Sequence, residues 1–319
     1  MKNLFKTKIL ALIVCLSIFV TSCSNDDNTP VVDNTITGIA SKTADFSILV
    51  QALTKAELAT TLQGSGPYTV FAPTNAAFTA FLATTPYATI NDVPKAALTE
   101  ILLNHVISGS IKSTALTTGY IKTLAKGTAS TTNNLSMFVN TAAGAVKLNG
   151  VATVTTADIM ASNGVIHIVD KVIGLPTIVT HATANPNFTS LVGALTGAGQ
   201  PDFVTILSGT GPFTVFAPTN DAFTSLNTEL APGGIAAVSA ANLTKVLQYH
   251  VVSGNILAAS LTEGQIVSTL QTPQTFTVEL AGGAKIKDSR GRISTIVATD
   301  VQCSNGVIHV LNKVLLPTF

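Results

Sequence analysis

Five histidines, one internal cysteine and two similarly placed aspartates are the side chains through which this sequence could do chemistry. The histidines are His105, His167, His181, His250 and His309, the cysteine is Cys303, and the aspartates are Asp158 and Asp300. A His–His–Asp ion site could be imagined from His105, His167 and Asp158. Zinc, however, needs three or four converging ligands, and the chain holds no HxH or HxxxH cluster. His105 and His250 fall on apolar helix faces, which suits a buried imidazole bonded to backbone. His167 and His309 sit in alternating, strand-like runs. Cys303 has no evident base to activate it, and the position that matches it earlier in the chain is Ala161, so it reads as a small buried apolar residue. There is no GxSxG elbow and no GxxxxGK[ST] loop, and only 16 acids are available for carboxylate pairs. The expectation is a chain with no catalytic residues, no metal site and no cofactor, hence not an enzyme.

The elements that would position these residues occur twice. GSGPYTVFAPTNAAF begins at Gly64, and GTGPFTVFAPTNDAF begins at Gly209. ILLNHVISGSI at Ile101 matches VLQYHVVSGNI at Val246. SNGVIHIVDKVIGLP at Ser162 matches SNGVIHVLNKVLLP at Ser304, and Asp158 matches Asp300 at the same offset of 142. A repeat of about 140 residues is too long for a solenoid and suits two globular domains in series, joined near Leu175-Pro176.

Each unit has a readable order. Phe46, Leu49, Val50 and Leu53 lie at helical spacing. Tyr68-Thr69-Val70-Phe71 reads as a short strand, which Ala72-Pro73 ends. Thr74-Asn75 can cap a following helix through Leu82. A further helix starts near Pro94, with Leu98, Ile101, Leu102 and His105 on its apolar face. The last third alternates β-rich runs with turn signals such as Asn149-Gly150 and Asn163-Gly164. Helices first and paired strands later predict an α+β unit rather than a parallel α/β sheet.

The first residues carry an address. MKNLFKTK is basic, ILALIVCLSIFV is an apolar run too short to span a membrane, and Val20-Thr21-Ser22-Cys23 resembles a bacterial lipobox. Residues 1–22 are therefore expected to be a lipoprotein signal peptide, Cys23 the lipidated residue, and residues 23–35 a flexible tether. The acidic SNDDN stretch resembles a signal for the outer face of the outer membrane. With the leader removed, 14 basic residues face 16 acidic ones, so no basic field exists to hold nucleic acid. The only membrane contact expected is through the N-terminal lipid.

The paired FAPTN, His-bearing helix and SNGVIH blocks together resemble the fasciclin domain family, from about Ile36 to Phe319. The resemblance implies an α+β fold of two tandem fasciclin-like domains, 36–176 and 177–319, each a β-sandwich or wedge flanked by helices. It implies a cell-surface protein of adhesion or extracellular matrix binding, whose partner is an extracellular macromolecule, a polysaccharide or surface protein. An alternative implied by some members is a carrier of a small apolar ligand, a lipid or pigment. Two partner-binding hooks of the family find matches here. Asp158-Ile159-Met160 stands where an Asp-Ile segment would be, and Tyr249-His250 where a Tyr-His pair would be. The first copy departs by having Asn104 at the tyrosine position, and the second by having Asp300-Val301.

Overall fold

The computed structural model describes residues 33–142 and 144–319. The expected signal peptide, Cys23 and the tether as far as residue 32 lie outside the described residues. Residues 33–35, read as the end of the tether, are held: Thr35 caps the first helix through Gly38 N–H, and Asn34 O accepts Ser162 N–H at 2.9 Å.

The first domain opens with helices α1 (Ile36–Lys42), α2 (Ser47–Lys55) and α3 (Ala59–Gln63). Strand β1 (Tyr68–Pro73) follows, then α4 (Asn75–Leu82) and α5 (Lys95–Leu103). The remaining strands are β2 (Val106–Ser108), β3 (Gly119–Lys122), β4 (Ser136–Asn140), β5 (Lys147–Leu148), β6 (Ala152–Ala161) and β7 (Gly164–Val169). They form one sheet in the order β2-β1-β7-β6-β5-β4-β3. β1 and β7 run parallel and every other pair is antiparallel. The early strand thus lies beside the last one, which the order of elements along the chain did not suggest.

Strand alternation divides the core. Val70 and Ala72 of β1 face the helices and join Phe46, Leu49, Phe78 and Leu98. Phe71 between them faces the other way, against Met137, Val139 and Leu148. The sheet curls around that second cluster, which makes the wedge. Asn149 and Gly150 both take positive φ (48° and 67°) and close the β5–β6 hairpin, as an Asn-Gly pair can.

The second domain repeats the plan with α6 (Ile178–Ala184), α7 (Thr189–Leu195), α8 (Phe203–Ser208), β8 (Phe213–Pro218), α9 (Asn220–Glu229) and α10 (Ala240–Tyr249). Strands β9 (Val251–Ser253), β10 (Ile266–Ser268), β11 (Thr275–Glu279), β12 (Lys285–Lys287), β13 (Ile293–Cys303) and β14 (Gly306–Leu311) complete it. The sheet order is the same, with β8 parallel to β14.

The domains meet across a polar joint. Tyr120 of β3 presents its ring edge-on to His181 of α6 at 5.3 Å, and its hydroxyl accepts Asn185 Nδ2–H at 3.1 Å. Lys122 Nζ donates to Asp300 O at 2.7 Å and to Ser136 Oγ at 3.0 Å. Ser136 Oγ in turn accepts Gln302 N–H at 3.0 Å. Ser304 O accepts both Ala129 N–H and the Thr128 hydroxyl. Among the described residues no helix is long and apolar enough to cross a membrane.

Candidate functional site

The strongest sequence candidate, the Asp158-Ile159 corner, sits on an irregularity of β6. The register against β7 slips between Thr156 and Ile159, and Asp158 takes the left-handed conformation at φ 63°. Aspartate tolerates that region better than β-branched or bulky residues do. Its backbone N–H donates to His167 Nδ1 at 3.2 Å, and His167 Nε2–H donates to Ile111 O at 2.9 Å, so the ring proton sits on Nε2. The His167 ring stacks on Phe71 at 5.6 Å. Both carboxylate oxygens of Asp158 are engaged: Oδ1 accepts Ser113 N–H at 2.8 Å and Oδ2 accepts the Ser113 hydroxyl at 2.6 Å. These two bonds, the hydroxyl first, hold the carboxyl below its usual range. What the corner offers to solvent is chiefly Met160, which is 54% exposed, beside the half-buried Ile159.

The second domain builds the same corner. Asp300 has φ 57°, its N–H donates to His309 Nδ1 at 3.4 Å, and His309 Nε2–H donates to Ile256 O. Ala258 replaces the serine, so the carboxylate accepts one bond instead of two. Here the corner is engaged in the domain joint through Asp300 O and Gln302.

Tyr249 and His250, the other sequence-derived hook, are a correction. Tyr249 is fully buried and His250 nearly so. The tyrosine hydroxyl donates to Thr275 O at 2.7 Å and accepts Ser289 N–H at 3.0 Å. His250 Nδ1–H donates to Val246 O at 2.7 Å while Nε2 accepts Leu315 N–H at 2.9 Å. The tyrosine bolts the end of α10 to β11 and to the turn after β12, the histidine bolts it to the C-terminal segment, and both are buried in the folded domain. His105 does the same between Ile101 O and Ile173 N–H, at 2.7 and 2.8 Å. Burial pushes both imidazoles down to about 4.

His181 differs. It is fully buried at the joint, yet neither ring nitrogen has a hydrogen-bond partner among the described residues. Burial pushes it down to about 3, while the nearby Ser136 backbone opposes that shift without making a well-formed bond. Cys303 is a free thiol, wholly buried, with burial pushing its pKa up. Among the described residues no three His, Cys, Asp or Glu side chains converge as metal ligands. For an apolar ligand, the second domain encloses a cavity of about 40 Å³ between α6, α7, α8 and the sheet, and the first domain one of about 20 Å³. Ligand pockets run to roughly 300–1,000 Å³.

Two asparagines were underread in the sequence. Asn75 does not cap its own helix, which Thr74 does through Ala77 N–H. Its Oδ1 accepts Ile48 N–H, and its Nδ2 donates to Ala44 O and the Ser47 hydroxyl, fastening α2 to the end of β1. Asn163 is more than a turn residue. Its Oδ1 accepts Ile36 N–H and its Nδ2 donates to Leu62 O and Gly64 O. Asn220 and Asn305 repeat these roles. Their recurrence inside FAPTN and SNG was the available signal.

A fasciclin domain model matches residues 44–176 and again residues 186–317. The chain belongs to the fasciclin domain family. The FAPTN corner and the SNGVIH strand are thus the framework of a fasciclin domain, built twice. Protein sll1483 of Synechocystis sp. is 41% identical over 143 residues, which is 44% of this chain and 73% of that protein. Human periostin is 29% identical over 266 residues, covering 80% of this chain but 29% of periostin. A fasciclin domain pair from the insect cell adhesion molecule fasciclin I superposes with a TM-score of 0.51 at 20% identity, over 83% of this chain and 95% of that one, and confirms the tandem wedge fold.

Proposed function

We propose that this chain is exported, cut before Cys23, anchored there by lipid, and displayed on the outer membrane surface as an adhesion or matrix-binding protein. Its two fasciclin domains bind an extracellular macromolecule, a polysaccharide or a surface protein. The observation that carries the reading is one chain joining a basic-apolar-Cys leader to two fasciclin domains, a fold shared with a pair from an insect cell adhesion molecule. The enclosed cavities are small, and the roomier hollow of about 720 Å³ between α2 and the end of α4 is open to solvent, which favours surface recognition over enclosure of a lipid or pigment. In the first domain the contact is assigned to the Asp158-Ile159 corner, with its exposed Met160. Two domains on one tether gain avidity when both engage.

The test compares cells carrying the natural chain, no chain, and Cys23→Ser. The natural chain should incorporate an alkyne fatty acid, be cleaved by protease added to intact cells, and promote attachment to matrix. Cys23→Ser should lose the label and the attachment. Unlabelled Cys23 would refute the anchor, and unchanged attachment in the deletion strain would refute the adhesive role.

A further inference from the structure

The domain joint is asymmetric. The first domain contributes the outer face of β3 and β4, with Tyr120, Lys122 and Ser136. The second contributes α6 and the end of β13, with His181, Asn185 and Gln302. Each domain repeats the strands and helices of both faces, although the second has a shorter β10–β11 loop in place of the one that carries Thr128 and Ala129 to Ser304 O, and one of each face is left over.

Register locates the left-over faces. Leu124 N–H bonds Val106 O as Leu270 N–H bonds Val251 O, which aligns β3 with β10. Lys122 pairs with Ser136 as Ser268 pairs with Thr275. Tyr120, Lys122 and Ser136 of the joint therefore correspond to Ile266, Ser268 and Thr275 on the second domain. A shift of 142 takes His181, Asn185 and Gln302 to Ile39, Thr43 and Met160 on the first.

Each left-over face carries an exposed apolar residue. Gln302 has no exposed surface, whereas Met160 is 54% exposed, and Ile266 at 72% is the most exposed large hydrophobic residue described. The residue types also change in step. Where the joint sets Tyr120 against His181 and Asn185, the free faces offer Ile266 against Ile39 and Thr43. Where Ser136 meets Gln302, they offer Thr275 and Met160. The joint is polar on both sides, whereas the free faces set Ile266 opposite Ile39 and add Met160, with Ser268, Thr275 and Thr43 as their polar members. The described chain enters both domains in the same way: Asn34 O accepts Ser162 N–H just as Pro176 O accepts Ser304 N–H at the existing joint.

We propose that the occupant of these faces is a second copy of this chain, docked head to tail. The β10–β11 face of one copy meets the α1–β6 face of the next, repeating the geometry of the intrachain joint. Such a contact is heterologous and propagates as a linear array of alternating domains. It involves the two domains alone, so it stands apart from the lipid anchor. It covers the corner assigned above to a matrix ligand, so the two compete there.

Ser136 and Gln302 touch within the chain, so Thr275 and Met160 must be neighbours between copies. Full-length chains carrying Met160→Cys and Thr275→Cys are co-expressed and treated with a short bismaleimide. The expected result is a cross-linked pair that requires both cysteines and exceeds the product from either variant alone or the natural chain. Ile266→Glu should reduce it by about tenfold, as loss of a central apolar anchor does. Ile266→Ser repeats the test with a smaller change, and unaltered unfolding midpoints show that both variants fold. No pair above the single-cysteine background overturns the proposal. So does a pair indifferent to both Ile266 substitutions, or Met160→Cys captured solely by a different protein.

Discussion

Substituting His250 with phenylalanine should weaken the second domain at neutral pH and leave it almost unaffected in acid. The ring is buried, with Nδ1–H on Val246 O and Nε2 accepting Leu315 N–H. Phenylalanine keeps a flat ring, slightly larger than the imidazole, but strands both backbone groups, at about 1–3 kcal/mol each before relaxation, so a loss of about 2–4 kcal/mol is expected at pH 7. Burial holds the folded pKa at about 4, below the ordinary value of 6.5, with Asp288 and Arg292 acting in opposite directions nearby. The folded state thus favours the neutral ring. The stability this gives is complete above pH 6.5 and falls as the pH drops towards 4, because the unfolded chain takes up the proton first. At 1.36 kcal/mol per unit, the natural protein loses about 3 kcal/mol from His250 over that window. The variant lacks this term, so the two stability curves converge near pH 4. Urea titrations read by hydrogen exchange on peptides of the second domain would measure both, keeping the two domains separate. Parallel curves for the two proteins between pH 7 and pH 4 would refute the reasoning.

His181 is as buried as His250 but has no bonded partner, so His181→Phe should be neutral or stabilising by about 1 kcal/mol at pH 7, read from the urea midpoint. Asn305→Ala removes three hydrogen bonds linking Ile178, Leu207 and Gly209, and should cost about 3 kcal/mol in the same assay. Gly306→Ala places a Cβ 2.0 Å from Phe213 O, so the second domain should fail to fold and become sensitive to protease. Asp158→Asn should leave attachment intact, because the carboxylate is already bonded to Ser113, whereas Ile159→Glu should abolish it; loss of attachment in a folded Asp158→Asn would show that the charge itself is recognised.

Local patterns carried the helices well, because their evidence is local. Leu49 and Leu53 are buried on α2, and Leu98 and Leu102 on α5, as their spacing requires. The Asn149-Gly150 hairpin followed from the two residues most tolerant of positive φ. The parallel pairing of β1 with β7 did not follow, since it joins segments at opposite ends of the domain and no nearby residue reports it. The reach of Asn75 and Asn163 was hidden for the same reason: a polar side chain shows its neighbours along the chain, not those brought to it by folding. Tyr249-His250 failed differently. The apolar face of Val246, Leu247 and His250 already pointed inward, and the family resemblance alone had placed the pair at a surface.

The two copies serve as each other's control. Positions that keep their residue in both, such as Asn75 and Asn220, Asn163 and Asn305, His105 and His250, Asp158 and Asp300, bond to backbone within their own domain. A domain of this topology needs each of those pins wherever it occurs, so their recurrence says nothing about ligands. Positions that changed between the copies include Tyr120 and Ile266, His181 and Ile39, Gln302 and Met160; in one copy they form the joint, while in the other Ile266 and Met160 are exposed and Ile39 is half-buried against its own core. A scaffold residue is constrained by contacts the repeat carries with it, whereas a surface residue is constrained by whatever lies opposite. The differences between the domains, more than the shared blocks that reveal the family, therefore point to where this chain meets other molecules.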